Sequence, residues 1–132
     1  MIHFEEMKLD ENSPIYLQII DFIKGGLAAG TIVYGDELPS RRMLSALLGI
    51  NPNTVQKAYA MLEAEALIRS HTGAKSCISA VPQKIAEIKD ALAEEGGRRA
   101  VQTLKAAGYS KAEAIAMIER YWDAEDRRES ET

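Results

Sequence analysis

Cysteine is nearly absent: Cys77 is the only one in the chain, so no intrachain disulfide can form. Histidine is almost as scarce, with His3 and His71 far apart in sequence. That inventory leaves no metal-ligand spacing, and neither a metal nor another cofactor is expected. There is no Gly-rich phosphate loop, nucleophile elbow or Cys/His pair. Glu94-Glu95 and Glu63/Glu65 read as solvated faces rather than acid/base pairs, so the chain is not expected to be an enzyme. No apolar run approaches the ~18 residues of a membrane span. The N-terminus lacks a basic region followed by an apolar core, so no signal peptide is expected. A reducing cytoplasm is the expected compartment, with no membrane partner.

An overall basic charge is missing too. The 132 residues carry a net charge of −4, which does not by itself suggest nucleic acid. The basic charge is local, however. Residues 40–75 hold five basic side chains against two acidic ones, a balance of +3, whereas residues 1–39 hold two against seven, a balance of −5. A phosphate footprint requires that kind of concentration.

The basic stretch contains the strongest local pattern. Ser40 is an N-cap type, Arg41 to Leu48 can form a helix, and Gly49 stands where a helix needs a left-handed residue to stop. Asn51 is again an N-cap type, and Pro52 falls at the first helical position, where its missing N–H costs nothing. Two short helices joined by a Gly-bearing turn make a helix-turn-helix. Met43, Leu44, Leu47 and Leu48 form an apolar stripe on the first helix; Val55, Ala58, Tyr59 and Leu62 form one on the second. Asn51, Asn53, Thr54, Gln56 and Lys57 crowd the opening turns of the second helix, away from its stripe. Asn and Gln can pair bidentately with adenine, Thr can touch a thymine methyl or a phosphate, and Lys can neutralise phosphate. A recognition helix uses its N-terminal residues in this way, although a capped, solvated helix surface has the same composition.

The flanks extend the plan. Phe4 and Leu9 suggest a short strand or extended arm. Ser13-Pro14 opens a helix whose apolar positions are Ile15, Ile19, Phe22, Ile23 and Leu27, with Gly30 closing it. Gly35-Asp36 marks a turn, with a tiny strand within 31–38. Leu67–Ser70 and Ser76–Ser79 flank His71-Thr72-Gly73-Ala74-Lys75 and read as a β-hairpin, the wing that follows the two helices. Val81-Pro82 marks a domain boundary. A helix with an apolar face follows, with a kink or break expected at Gly96-Gly97 and an end at Gly108. Ser110 and Glu113 form a capping box for a last helix over 111–124, with residues 125–132 fraying. About 45 residues in two helices cannot readily bury their own apolar faces. A second copy is the simplest cover, through Ile85, Ile88, Leu92, Val101, Leu104, Ile115, Ile118, Tyr121 and Trp122. The expected class is mainly α: a winged helix-turn-helix domain over 1–80 and a short two-helix dimerisation tail over 81–132.

Pro14-Ile15-Tyr16-Leu17-Gln18-Ile19, Gly35-Asp36-Glu37-Leu38-Pro39-Ser40-Arg41-Arg42 and Leu48-Gly49-Ile50-Asn51-Pro52-Asn53-Thr54-Val55-Gln56-Lys57-Ala58-Tyr59 occur in order, followed by Leu62-Glu63 and Leu67-Ile68. Together they resemble the winged helix-turn-helix of GntR-family transcriptional regulators. The short tail, with Gly108-Tyr109-Ser110-Lys111-Ala112-Glu113, resembles the YtrA subfamily. The resemblance implies a dimeric, sequence-specific DNA-binding regulator, usually a repressor. By position, Arg42 matches the family's arginine at the start of the second helix. Asn51, Asn53, Thr54 and Gln56 match recognition positions, and Thr72 and Gly73 match a wing tip that enters the minor groove. The chain departs from the pattern at Ala66, where the family usually has Gly, and in a wing with fewer basic residues and no second Gly.

The candidate DNA-binding set is therefore Ser40, Arg41, Arg42, Asn51, Asn53, Thr54, Gln56, Lys57 and Tyr59, with His71, Thr72, Gly73 and Lys75 from the wing. The expected partners are a double-stranded operator with inverted repeats and a second copy of the chain. The tail is too small for a dedicated ligand domain, so an unknown small-molecule effector would have to use the dimer seam or an interdomain cleft. The competing class is a winged-helix module that binds protein without specific DNA binding.

Overall fold

A computed structural model describes residues 1–70 and 75–131, apart from the side chains of 126–131. The elements run, in order, as a 3₁₀ turn (Phe4–Glu6), α1 (Ile15–Ala29), α2 (Arg41–Leu48), α3 (Pro52–Ala64), β1 (Ile68–Arg69), β2 (Cys77–Ile78), α4 (Pro82–Ala106) and α5 (Lys111–Glu131). The chain forms two compact bodies, Met1–Leu92 and Ala93–Thr132.

In the first body α1 packs along α3, and α2 crosses α3. The core joins Ile19, Ile23 and Leu27 of α1 to Leu44 of α2 and to Val55, Ala58, Tyr59 and Leu62 of α3. Phe4 enters this core from a 3₁₀ turn rather than a strand, and its ring lies 5.0 Å from that of Phe22. On α2 only part of the expected stripe faces inward: Leu44 is buried and Leu48 half-buried, but Met43 and Leu47 are exposed. Met43 and Leu47 lie one turn apart on one flank of the helix, and that flank stays exposed.

Local chemistry accounts for most helix ends. Ser40 Oγ accepts from the Met43 N–H at 3.1 Å, and Gly49 ends α2 at φ 66°. Asn51 Oδ1 accepts from the Asn53 N–H at 2.8 Å, with Pro52 at the first helical position. The start of α1 differs from expectation. Ser13 does not cap it; Pro14 holds the cap position and makes no side-chain bond. Gln18 ties down the approach instead: its Oε1 accepts from the Asp10 N–H at 3.0 Å, and its Nε2 donates to the Asp10 and Ser13 carbonyls at 2.9 and 2.7 Å. Gly26 is required in the last turn of α1, where an added Cβ would lie 2.6 Å from Ile32 Cγ1.

β1 and β2 pair antiparallel, Ile68 opposite Ile78 and Arg69 opposite Cys77. The 31–38 segment joins them. Leu38 N–H donates to Ser76 O at 2.9 Å, Ile78 N–H donates to Asp36 O at 2.8 Å, and Glu37 forms a single bridge with Cys77. Between α3 and β1 the chain turns at Ala66, which adopts φ 60°. A Cβ in the left-handed region costs about 1–2 kcal/mol. Glycine would remove that cost but would add unfolded-state entropy worth about 0.4–1 kcal/mol. Ala66→Gly is therefore expected to stabilise the protein by about 0.5–1 kcal/mol. A urea midpoint that falls would refute this.

The first turns of α4 belong to the first body. Ile88 is buried in its core and Ile85 is half-buried against it. This corrects their expected place in the dimer face: the stripe that begins α4 covers the chain's own helices. α4 then runs unbroken through Gly96-Gly97. The expected break is absent; Arg98 pairs with Glu94 at 2.9 Å and Arg99 with Glu95 at 3.1 Å, each one helical turn apart across the glycines, which offsets part of their helix cost.

In the second body Gly108 ends α4 at φ 83°. The capping box forms as expected: Glu113 N–H donates to Ser110 Oγ at 3.2 Å, and Ser110 N–H donates to Glu113 Oε1 at 3.0 Å. The backbone bond holds the Glu113 carboxyl below its usual range. α5 continues to Glu131 instead of ending near 124, since no glycine or proline interrupts a run rich in Ala, Glu and Arg. An apolar groove of about 640 Å³ lies between α4 and α5, lined by Val101, Leu104, Ile115 and Ile118 with Gly97, Ala100 and Ala114. Among the described residues no helix is long and apolar enough to cross a membrane.

Candidate nucleic-acid interface

α3 is divided lengthwise. Its inner face, Val55, Ala58, Tyr59 and Leu62, is fully buried. On the outer face of its first two turns, Asn51, Asn53, Gln56 and Lys57 are exposed and Thr54 is half-buried. The helix is held in place from both ends. At its start Ile50 N–H donates to Ser45 O at 3.0 Å, while the buried Ser45 hydroxyl donates to Ile50 O. At its end Lys24 of α1 pairs with Glu65 at 3.2 Å. Ser45 was not singled out from sequence: a serine in an apolar stripe carries no outward mark of a bond five residues on.

The basic side chains divide by partner. Arg41, Arg42 and Lys57 form no ion pair among the described residues. Lys57 lies over the Tyr16 ring, 3.9 Å from its centroid, and Arg41 lies over the Tyr59 ring at 5.2 Å. Arg42 is exposed. Lys75 differs, pairing with Glu37 at 3.6 Å. The Lys57–Tyr16 contact joins residues 41 positions apart, so no spacing rule reveals it.

Tyr59 is a correction. It has no exposed surface, and its hydroxyl donates to the Pro39 carbonyl at 2.8 Å. Burial raises its pKa, with the nearby Arg41 charge opposing this more weakly. The phenol therefore stays protonated as a donor, and it cannot touch DNA from this position. Ser40 is exposed, but its oxygen already caps α2. His71, Thr72 and Gly73, expected at the wing tip, lie outside the described residues; Lys75 is exposed. Among the described residues no group of three or more His, Cys, Asp or Glu side chains could hold a metal ion.

The surface so assembled is a capped helix N-terminus bearing amide and hydroxyl groups, next to cations without carboxylate partners. Positive charge and helix-terminal N–H groups suit phosphate, and amides suit base edges. Residues 15–76 match the sequence profile of the bacterial regulatory proteins of the gntR family. The chain is 31% identical over 114 residues to YhcF, an HTH-type transcriptional regulator of Bacillus subtilis, spanning 86% of this chain and 94% of that protein. It is 44% identical over 68 residues to the HTH-type transcriptional repressor YtrA of the same organism, spanning 52% of each. A GntR family transcriptional regulator from Listeria monocytogenes superimposes with a TM-score of 0.75 at 29% identity, over 85% of this chain and 98% of that one. The full-length match to YhcF and the shared winged helix-turn-helix place the chain in the gntR family of bacterial transcriptional regulators, proteins that control transcription through a DNA-binding domain and are not enzymes.

Proposed function

We propose that the protein is a repressor that binds, as a homodimer, a duplex operator with inverted half-sites, with α3 in the major groove. The observation that carries this reading is the division of α3: one face wholly within the core, the other polar, exposed and flanked by Arg41, Arg42 and Lys57, none of which is ion-paired among the described residues. Asn53, Thr54 and Gln56 face base edges in this arrangement, Arg42 and Lys57 face the backbone or a guanine, and the wing with Lys75 lies alongside. The likeness to the repressor YtrA supports the sign of regulation. Residues 1–80 supply the DNA-binding part and the tail beyond Pro82 supplies pairing, through Leu92, Val101, Leu104, Ile115, Ile118, Tyr121 and Trp122. Its site of action is the cytoplasm, where the DNA is.

Titration of a duplex recovered by selection from a random pool tests the reading. Affinity for it should fall steeply with salt, log K against log salt sloping about −0.9 per phosphate neutralised. Arg42→Ala should weaken binding by about 1–3 kcal/mol if Arg42 reads a base. A flat salt response, with no preference over random duplex, would instead indicate a protein-binding module.

A further inference from the structure

Arg41 is placed oddly for a surface cation. It occupies the first turn of α2, a turn with no acidic residue and with Arg42 beside it. Positive charge at a helix N-terminus opposes the helix dipole. Its Nε is buried without a hydrogen-bond partner among the described residues. No carboxylate pairs with it among the described residues. A buried donor left unpaired calls for an explanation.

Tyr59 supplies the restraint. Its ring is fully buried, and its hydroxyl bond to the Pro39 carbonyl fastens it to the backbone two residues before Arg41. The guanidinium lies over that ring at 5.2 Å. The guanidinium is thus kept over a core residue, while the terminal Nη groups find no protein acceptor among the described residues. A planar donor pair held in place beside two further sources of positive charge fits a tetrahedral oxyanion.

We infer that Arg41 is a pre-oriented phosphate contact of the α2–α3 surface and that Tyr59, which cannot itself reach DNA, is the residue that positions it. The inference rests on the DNA-binding reading above. Arg41 stands in the first turn of α2, and the first helix of a helix-turn-helix crosses the backbone while the second enters the groove, so Arg41 contributes to affinity for any duplex rather than to choice among sequences.

The test is a salt titration of the full chain on the selected duplex and on a random duplex of equal length. Arg41→Ala should weaken both by a similar factor of about tenfold and reduce the salt slope by about 0.9. Arg41→Lys keeps the charge but not the guanidinium's two-donor fork, so it should lose several-fold in affinity with the slope unchanged. Tyr59→Leu should cost affinity in the native chain and almost nothing in the Arg41→Ala background. Should Tyr59→Leu fail to fold, the comparison of Arg41→Lys with Arg41→Ala still decides. Arg41→Lys binding like the native chain would overturn the positioning claim. An Arg41→Ala loss confined to one base pair would overturn the phosphate assignment. Native protein that binds neither duplex would remove the DNA-binding reading itself, whereas native binding with unaffected Arg41 variants removes this inference alone.

Discussion

If the chain pairs as proposed, replacing Trp122 and Ile118 together by alanine should convert the dimer into monomers across the micromolar range. Ile115, Ile118 and Trp122 follow one another at three- and four-residue steps, which puts them on one face of α5. All three are exposed, Trp122 at 69%. A tryptophan left in water on a helix that also borders an open apolar groove is an anchor without its pocket, and anchors of this kind cost about 2 kcal/mol or more each when truncated. Two of them should weaken association by on the order of 10³-fold. Sedimentation at several concentrations reads this directly. The selected duplex should lose most of its advantage over random duplex, because half-sites no longer share one ligand. A double variant that sediments as an unaltered dimer would move the interface elsewhere.

Phe4→Ala should be among the most damaging single changes to the fold. Phe4 has no exposed surface, and its ring meets Phe22 at 5.0 Å with a 36° tilt. Emptying such a site costs about 3–5 kcal/mol, a large part of the stability of a domain this size. Removal of residues 1–6 should do comparable harm, contrary to the usual tolerance of chain ends. Ile2 is buried too, and its N–H donates to Glu37 O at 2.7 Å, so the terminus is fastened to the segment that braces the wing. A denaturation midpoint unmoved by either change would show that the N-terminal turn lies on the core without contributing to it.

The contrast between those segments shows what could be read from residues alone. Ser40, Gly49, Asn51, Pro52, Gly108 and the Ser110–Glu113 pair act within a few positions of themselves, so their types announce their roles. The two central helices and the outward polar set were legible for that reason. Phe4 was not, because two apolar residues in an acidic stretch suit an arm as well as a plug. Ile85 and Ile88 share a stripe with Val101 and Leu104, and periodicity does not tell where along a helix its cover changes. Tyr59 stood among contact residues with both a polar tip and an apolar body; only Pro39, twenty positions away, decides which matters.

The bond that begins α3 also bears on the vocabulary of an operator. Asn51 spends its carbonyl oxygen on the Asn53 amide at 2.8 Å. What it retains is the NH₂ and the oxygen's second lone pair, both fixed in direction by the cap. Adenine's edge asks for one donor and one acceptor, so in the proposed complex Asn51 could meet it only in the one orientation that keeps the helix capped. Asn53 and Gln56, whose amides carry no such bond, would be freer to turn toward a base.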